Sequence, residues 1–178
     1  MATIALNIQG VKTGLKKDEL YKLKTLAKQQ LSVILENLQN QENSWLLKYS
    51  NELLVVELIL VNSEKMQKLN YLYRQKNTST NVLSLQNYSQ QELKQGLKLP
   101  KILIGSVIIC IDVAKNEAKQ FNTPFDEYFL KLLIHGLLHL MGYDHSTEEE
   151  AKEMYALENY LLQKLNLGTC GIIANYWK

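Results

Sequence analysis

The three histidines of the chain all lie between positions 135 and 145, as His135, His139 and His145. His135 and His139 are four residues apart in a segment whose apolar spacing predicts a helix, so their imidazoles should project from one face. Gly142 is typical of a helix end, and a turn there can bring His145 back toward the other two. Three neutral imidazole nitrogens match a tetrahedral Zn²⁺ with an open fourth position, which is the arrangement of a catalytic site.

A single histidine in such a helix is more often a partly buried structural residue, but three at this spacing around a glycine favour a metal site. A bound Zn²⁺ would lower the pKa of its water toward about 7 and so support hydrolysis. The same ligands also accept nickel, cobalt or iron, which leaves the identity of the metal open. Asp144 either orients one of the ligands or caps the helix that follows Ser146.

Apolar periodicity predicts four strands and five helices, in an order without sustained strand–helix alternation. The predicted strands cover residues 2–9, 51–61, 81–85 and 102–111, and the predicted helices cover residues 17–40, 62–73, 112–120, 124–140 and 147–165. Residues 74–80 are expected to form a loop and the polar residues 88–98 a flexible excursion, while Gly105 marks a bulge or a close approach of two backbones. We therefore predict one α+β domain over residues 1–178, with a small mixed sheet and the metal site on the helix of His135 and His139.

The composition excludes several classes of protein. The chain has 178 residues, 46% of them hydrophobic, and a formal net charge of +2, which excludes a polybasic tail or an acidic disordered segment as the basis of its activity. Its two cysteines are too far apart for a C-x-x-C zinc site or a disulfide framework. No signal peptide is recognisable, and the longest apolar run, residues 53–61, contains Glu57 and is too short to span a membrane. We expect a soluble, cytoplasmic protein without a membrane partner.

Residues 135–145, HGLLHLMGYDH, resemble the signature of the YbeY family of bacterial metal-dependent endoribonucleases, which are rRNA maturation factors. Residues 69–84, LNYLYRQKNTSTNVLS, are similar to a second motif of that family. The matching positions in the second motif and in the last predicted helix are Arg74, Lys76, Thr80, Val82, Leu83, Ser84, Met154 and Glu158. The resemblance covers about residues 52–165.

The chain also departs from the family pattern at three positions. The family usually has aspartate where this chain has Asn81 and Ser106, and phenylalanine where it has Leu85. Two acidic groups expected near the site are therefore absent. If either group tunes the metal or orients a ligand, this enzyme should be slower or should rely on another carboxylate such as Asp144.

The resemblance implies a single-strand-specific endoribonuclease that acts in rRNA 3′-end maturation and in ribosome quality control. Its partners would be an rRNA precursor and the ribosome or its assembly factors, and its cofactor would be one Zn²⁺ held by the three histidines. Arg74 is the only arginine of the chain, and its planar fork suits bidentate binding of phosphate. Taken alone, an arginine in a polar loop is more often an ordinary solvated residue. The resemblance reverses this preference and implies that Arg74 stabilises charge during phosphodiester cleavage. The candidates for orienting ligands or substrate are Asp144, Lys76, Thr80 and Ser84.

Two other functions compete with this prediction. Zinc proteases with the H-E-x-x-H-x-x-G-x-x-H motif share the histidine spacing, but their general-base position is Gly136 here, and a glycine cannot accept a proton. A non-catalytic zinc-containing factor for ribosome assembly or RNA binding would use the metal only to fix the fold. The residues leave open the nucleophile, the cleavage sequence, the oligomeric state and the role of the tail, residues 168–178.

Overall fold

Four strands form one mixed sheet in the computed structural model, which describes residues 3–11, 13–41, 44–49 and 51–168. The strands are β1 (Thr3–Val11), β2 (Leu53–Val61), β3 (Val82–Gln86) and β4 (Lys101–Cys110). Their order across the sheet is β1-β2-β4-β3, with β2 parallel to both β1 and β4 and with β3 antiparallel to β4. The nearly continuous apolar run of β2 suits a strand that has parallel neighbours on both sides and is covered on both faces.

Six α-helices and one 3₁₀ turn, Trp45–Lys48, accompany the sheet in the described residues. The helices are α1 (Lys17–Gln39), α2 (Ser63–Arg74), α3 (Gln90–Gln95), α4 (Ile111–Gln120), α5 (Phe125–Met141) and α6 (Glu148–Lys164). This architecture confirms the predicted single α+β domain with a four-stranded mixed sheet. None of the described helices combines the length and the apolar character that a bilayer-spanning segment needs. The last residues of the tail, 169–178, lie outside the described residues.

The prediction of a flexible excursion over residues 88–98 is wrong at its centre, where α3 forms. Ser89 begins this helix because its hydroxyl accepts a hydrogen bond from the Glu92 N–H, and the Glu92 carboxylate accepts one from the Ser89 N–H. Leu93 is buried, and its carbonyl accepts a hydrogen bond from the Tyr49 hydroxyl at 2.8 Å. A capping box and a single buried leucine thus order a segment whose composition is otherwise polar.

Helix α5 is the central element of the fold. Its residues are predominantly apolar around the whole helix, and it packs against β3, β4, α1, α4 and α6. On the sheet face toward α5, the alternate β2 residues Leu54, Val56, Leu58 and Leu60 belong to the main core. His135 and His139 are therefore carried by an element that its neighbours hold on nearly every side.

The opposite face of the sheet is covered by α2. Met66 of α2 packs with Val61, Leu83, Ile108 and Cys110 in a second, smaller apolar cluster. This packing sets the position of the end of α2, where Arg74 is the last helical residue and Gln75 has the left-handed backbone of the helix cap, with φ 57°. The loop predicted over residues 74–80 is therefore wrong at its first residue, and residues 75–80 contain no helix or strand.

Candidate metal centre

The C-terminal half of α5 carries His135 and His139 on one face, one turn apart. Their rings are 4.6 Å apart between centroids, and the two Nε2 atoms are 3.1 Å apart. The His145 ring lies 5.5 Å from the His135 ring and 5.1 Å from the His139 ring. One nitrogen from each of the three residues lies within 4.8 Å of the others, so the structure brings together the predicted ligand set.

The turn that returns His145 to the helix depends on Gly142. This residue has φ 90°, a left-handed conformation that disfavours side chains larger than hydrogen, and its N–H donates to the His139 carbonyl. The next N–H, of Tyr143, donates to the Leu138 carbonyl at 3.0 Å. These two bonds end the helix and direct the chain back past its own last turn, which places His145 beside the helical histidines.

Hydrogen-bond partners define which nitrogen of His139 is available. Its Nδ1 lies 3.1 Å from the Tyr143 carbonyl oxygen, which can only accept, so Nδ1 carries the hydrogen and Nε2 keeps a lone pair. Burial, together with neighbouring His135 and His145, lowers the pKa of His139 to about 4. The ring is thus neutral near pH 7, as a metal ligand must be. The donor set of three closely spaced imidazoles fits a zinc-type ion with an open coordination position.

Two glutamines bind the carbonyl groups at the end of α5. The Gln86 amide donates to the His139 carbonyl at 2.5 Å, and the Gln90 amide donates to the Met141 carbonyl at 2.7 Å. The last four carbonyls of a helix lack their usual partners within the helix. Gln90 therefore satisfies the Met141 carbonyl, and Gln86 adds a second donor to the His139 carbonyl, which also accepts from the Gly142 N–H. Sequence reasoning missed both glutamines, because no local pattern predicts that β3 and α3 reach this helix end.

A cleft of about 370 Å³ opens beside His139, and Arg74 lies on its wall. The other lining residues are Ser84, Gln86, Gln90, His139, Gly142, Tyr143 and Asp144. Arg74 is exposed, and among the described residues no carboxylate forms an ion pair with it. One cleft therefore joins the Arg74 guanidinium, which has no ion pair within the described part of the chain, to one imidazole of the cluster, that of His139.

A sequence model of the family described as "Endoribonuclease YbeY" matches residues 14–166 of this chain. The chain belongs to this family. It is 44% identical over 108 residues to the endoribonuclease YbeY of Colwellia psychrerythraea, a match over 61% of this chain and 66% of the relative, just under two thirds. It is 38% identical over 120 residues to the endoribonuclease YbeY of Nautilia profundicola, which covers 67% of this chain and 78% of the relative.

A solved structure shares the fold of this family member. The solution structure of a Thermotoga maritima protein superposes with a TM-score of 0.58 at 23% identity, covering 90% of this chain and 89% of the other. The resemblance shown by the motifs around His135 and Arg74 is thereby confirmed for the family and for the fold.

Among the remaining predicted site residues of this YbeY family member, Ser84 lines the cleft and two others do not. Ser84 lines the cleft, and its hydroxyl donates to the Gly136 carbonyl at 3.0 Å, which ties β3 to α5. Lys76 is exposed on the loop after α2, and Thr80 contacts Asn81 at 3.5 Å. Neither Lys76 nor Thr80 is among the described residues that line the cleft.

Asp144 belongs to the loop that holds His145. Its carboxylate accepts hydrogen bonds from the His145 N–H and from the Ser146 hydroxyl, both at 2.8 Å. Burial on its own raises the pKa of Asp144, but these two hydrogen bonds, together with the neighbouring His139 and His145 rings, lower it below its ordinary value. Thr147, not Asp144, caps α6. Of the two roles open for Asp144, the contacts favour orienting the ligand loop.

The three residues that replace the usual family residues are not among the described residues that line the cleft. Asn81 is buried, and its amide donates to the Glu117 carboxylate at 2.9 Å. Ser106 donates to the Glu57 carboxylate at 3.0 Å, from residues at neighbouring positions on β2 and β4. Leu85 packs beside the apolar cluster under α2. Each residue that differs from the family pattern therefore has its own partners in this structure: a carboxylate for Asn81 and for Ser106, and apolar side chains for Leu85.

Replacing Asn81 by aspartate should destabilise the protein by about 1–3 kcal/mol, because a second carboxylate would face Glu117 where the amide now donates. Urea unfolding of the metal-free protein measures this loss. The loss should shrink as the pH falls, since protonating either carboxyl restores a donor between them. The double variant Asn81→Asp with Glu117→Gln should recover most of the stability; equal instability of the two variants would contradict the explanation.

Proposed function

We propose that this chain is a metal-dependent endoribonuclease that cleaves single-stranded RNA, with one Zn²⁺ held by His135, His139 and His145. The observation that carries the proposal is the cleft that Arg74 shares with His139, one of the three clustered histidines. Membership of the endoribonuclease YbeY family supports the same activity. We further propose that the substrate is an rRNA precursor, with a role in 3′-end maturation and ribosome quality control. The ribosome or its assembly factors would then be partners, in the cytoplasm.

The chemistry divides between the histidine cluster and Arg74. When bound, the metal supplies a Lewis acid that polarises a phosphate oxygen or acidifies a water. The His139 Nδ1–H stays on the Tyr143 carbonyl, which keeps the ring oriented toward the cluster. No carboxylate of the described residues forms an ion pair with the Arg74 guanidinium, which can therefore bind a phosphate through two N–H groups and stabilise the charge that develops on phosphorus–oxygen bonds.

A second cavity continues the cleft past the Gly142 turn. Its volume is also about 370 Å³, and it shares Gln90, Gly142, Tyr143 and Asp144 with the first. Trp45 and Lys94 lie on its far wall, while Glu150 and Glu153 line the side of α6. The partly exposed Tyr143 ring and the exposed Lys94 suit an unpaired base with its phosphate, and carboxylates accept hydrogen bonds from base amino groups. A groove of this kind supports a single strand as the substrate.

The packing of Gly136 argues against the protease alternative. A Cβ atom at this position would lie 2.5 Å from Val107 Cγ1 and 3.2 Å from the Ser84 hydroxyl. The residue that follows the first histidine therefore points at the sheet, not into the cleft. The glutamate side chain that zinc proteases use as a general base at this position would have no room here. Gly136→Glu should therefore disrupt the packing against Val107 without creating peptidase activity.

The test of the proposed function compares RNA and peptide substrates on metal-replete protein whose zinc content has been measured. We expect cleavage of a single-stranded rRNA 3′-end precursor, much slower cleavage of the same sequence in a duplex, and no peptidase activity. Zinc-replete protein that binds the precursor without cleaving it would contradict the proposal and favour the non-catalytic assembly factor.

Replacing Arg74 by alanine should lower kcat/KM for RNA cleavage about 100-fold, the typical effect of losing one donor to a developing charge. Zinc content should not change, because Arg74 contributes no ligand atom. Arg74→Lys should recover only part of the activity, since an ammonium cannot bind phosphate through a planar fork. Lys76→Ala is the matched control, because Lys76 lies on the adjoining loop outside the cleft. Equal losses in the two alanine variants would argue against a specific role for Arg74.

A further inference from the structure

Helix α6 carries a charged residue on its buried face. The apolar stripe of this helix includes Met154, Leu157 and Leu161, and Glu158 lies among them with only 1% of its side chain exposed. Removing a carboxylate from water is costly unless it has a close partner. A glutamate in this position therefore needs a close hydrogen-bond or charge partner.

Glu158 contacts a ring nitrogen of the proposed metal centre. Glu158 Oε1 lies 2.6 Å from His135 Nδ1, and the His135 side chain is itself only 5% exposed. A carboxylate can only accept, so Nδ1 carries the hydrogen and the lone pair is on Nε2. That Nε2 atom is the one 3.1 Å from His139 Nε2, on the side where the cluster converges.

We propose that Glu158 is a positioning residue of the metal centre: it fixes His135 in the Nδ1–H tautomer, orients the ring, and increases the basicity of Nε2. This inference rests on the proposed metal site. A hydrogen bond from a ligand imidazole to a carboxylate strengthens the nitrogen as a donor, and three neutral ligands alone supply no negative charge to the ion. His139 has a weaker partner at the same atom, the Tyr143 carbonyl.

The experiment measures zinc affinity by competition with a chromophoric chelator for wild type, Glu158→Gln, Glu158→Ala and Glu149→Gln. We expect about 10-fold weaker binding for Glu158→Gln, which keeps an acceptor but loses the charge, and about 100-fold weaker binding for Glu158→Ala. Glu149→Gln, an exposed position on the first turn of the same helix, should bind zinc like wild type.

A second readout separates positioning from general stability. Nitrogen-15 NMR of the metal-free protein should show His135 as the Nδ1–H tautomer in wild type and a mixture of tautomers in Glu158→Gln. If Glu158→Ala does not fold, Glu158→Gln decides. Wild-type zinc affinity and an unchanged tautomer in a folded Glu158→Gln protein would overturn the inference.

The same measurements keep this inference distinct from the proposed RNA cleavage. Zinc affinity and the tautomer of His135 decide the role of Glu158 whether or not the wild-type protein cleaves RNA. Failure of cleavage by zinc-replete protein counts against the proposed function only. Wild-type protein that binds no divalent transition metal would overturn both.

Discussion

Replacing His139 by alanine should reduce RNA cleavage to the level of a buffer control and should remove most of the bound zinc. The physical reason is that two ligands cannot close a site that three nitrogens within 4.8 Å form together. The fold should survive, because His139 is only partly buried while its neighbours on α5, such as Leu137 and Leu138, are fully buried. Zinc content, circular dichroism and cleavage of single-stranded RNA are measured on the same preparation.

The control for this variant is Asp126→Asn, an exposed position in the first turn of the same helix. It changes a charge on α5 without touching the cleft, and should keep both zinc and activity. A folded, metal-free His139→Ala protein that cleaves RNA at the wild-type rate would contradict the proposed mechanism. Loss of activity with zinc fully retained would place the role of His139 outside metal binding.

Helix geometry explains why sequence alone could predict so much of this centre. Two residues four apart on a helix must lie on one face, so the contact of His135 with His139 follows from local spacing. The stop at Gly142 is equally local, because a glycine after an apolar helical run is the usual left-handed cap. To predict the position of His145, only the direction of the turn after Gly142 was required in addition. The position of His145 beside the helix agrees with the prediction.

Contacts between distant elements could not be predicted in the same way. Glu158 reaches His135 from another helix, and its only sequence signal is a charged residue within an apolar stripe. The family pattern marks Asn81 as a missing acid, and no local pattern connects it to its partner Glu117 on another helix. The amide is explained by a carboxylate that only the folded chain brings into contact.

Arg74 shows what the family resemblance adds to the residues. Taken alone, an arginine in a polar stretch is usually a solvated surface residue. Its position on the cleft wall depends on where the apolar packing of Met66 holds the end of α2. The distance along the chain between Arg74 and the histidines does not predict that they share a cleft. The prediction therefore rested on the motif match, and the structure shows where Arg74 lies relative to His139.

Replacing Gly105 by alanine should destabilise the protein by about 3 kcal/mol or more, a larger effect than ordinary overpacking. Sequence predicts a bulge or a close approach here, and the structure has both. The register of β2 against β4 shifts between Val55 and Val56, opposite Gly105. A Cβ atom at Gly105 would lie 2.3 Å from the Leu85 carbonyl oxygen, a backbone atom that cannot rotate away.

The effect of Gly105→Ala should also reach the metal centre, because the strand that must move is β3. Ser84 and Gln86 of β3 donate hydrogen bonds to the Gly136 and His139 carbonyls, so a displaced β3 loosens the helix end that presents the histidines. Urea unfolding and zinc affinity should therefore fall together. Gly10→Ala is the control, since its Cβ would meet the ends of two side chains and no backbone atom: Leu20 at 3.1 Å and Thr13 at 3.6 Å. If Gly105→Ala and Gly10→Ala unfold at the same urea concentration, the close approach of β3 to β4 does not limit stability. If Gly105→Ala is less stable but binds zinc like wild type, β3 does not position the histidine helix.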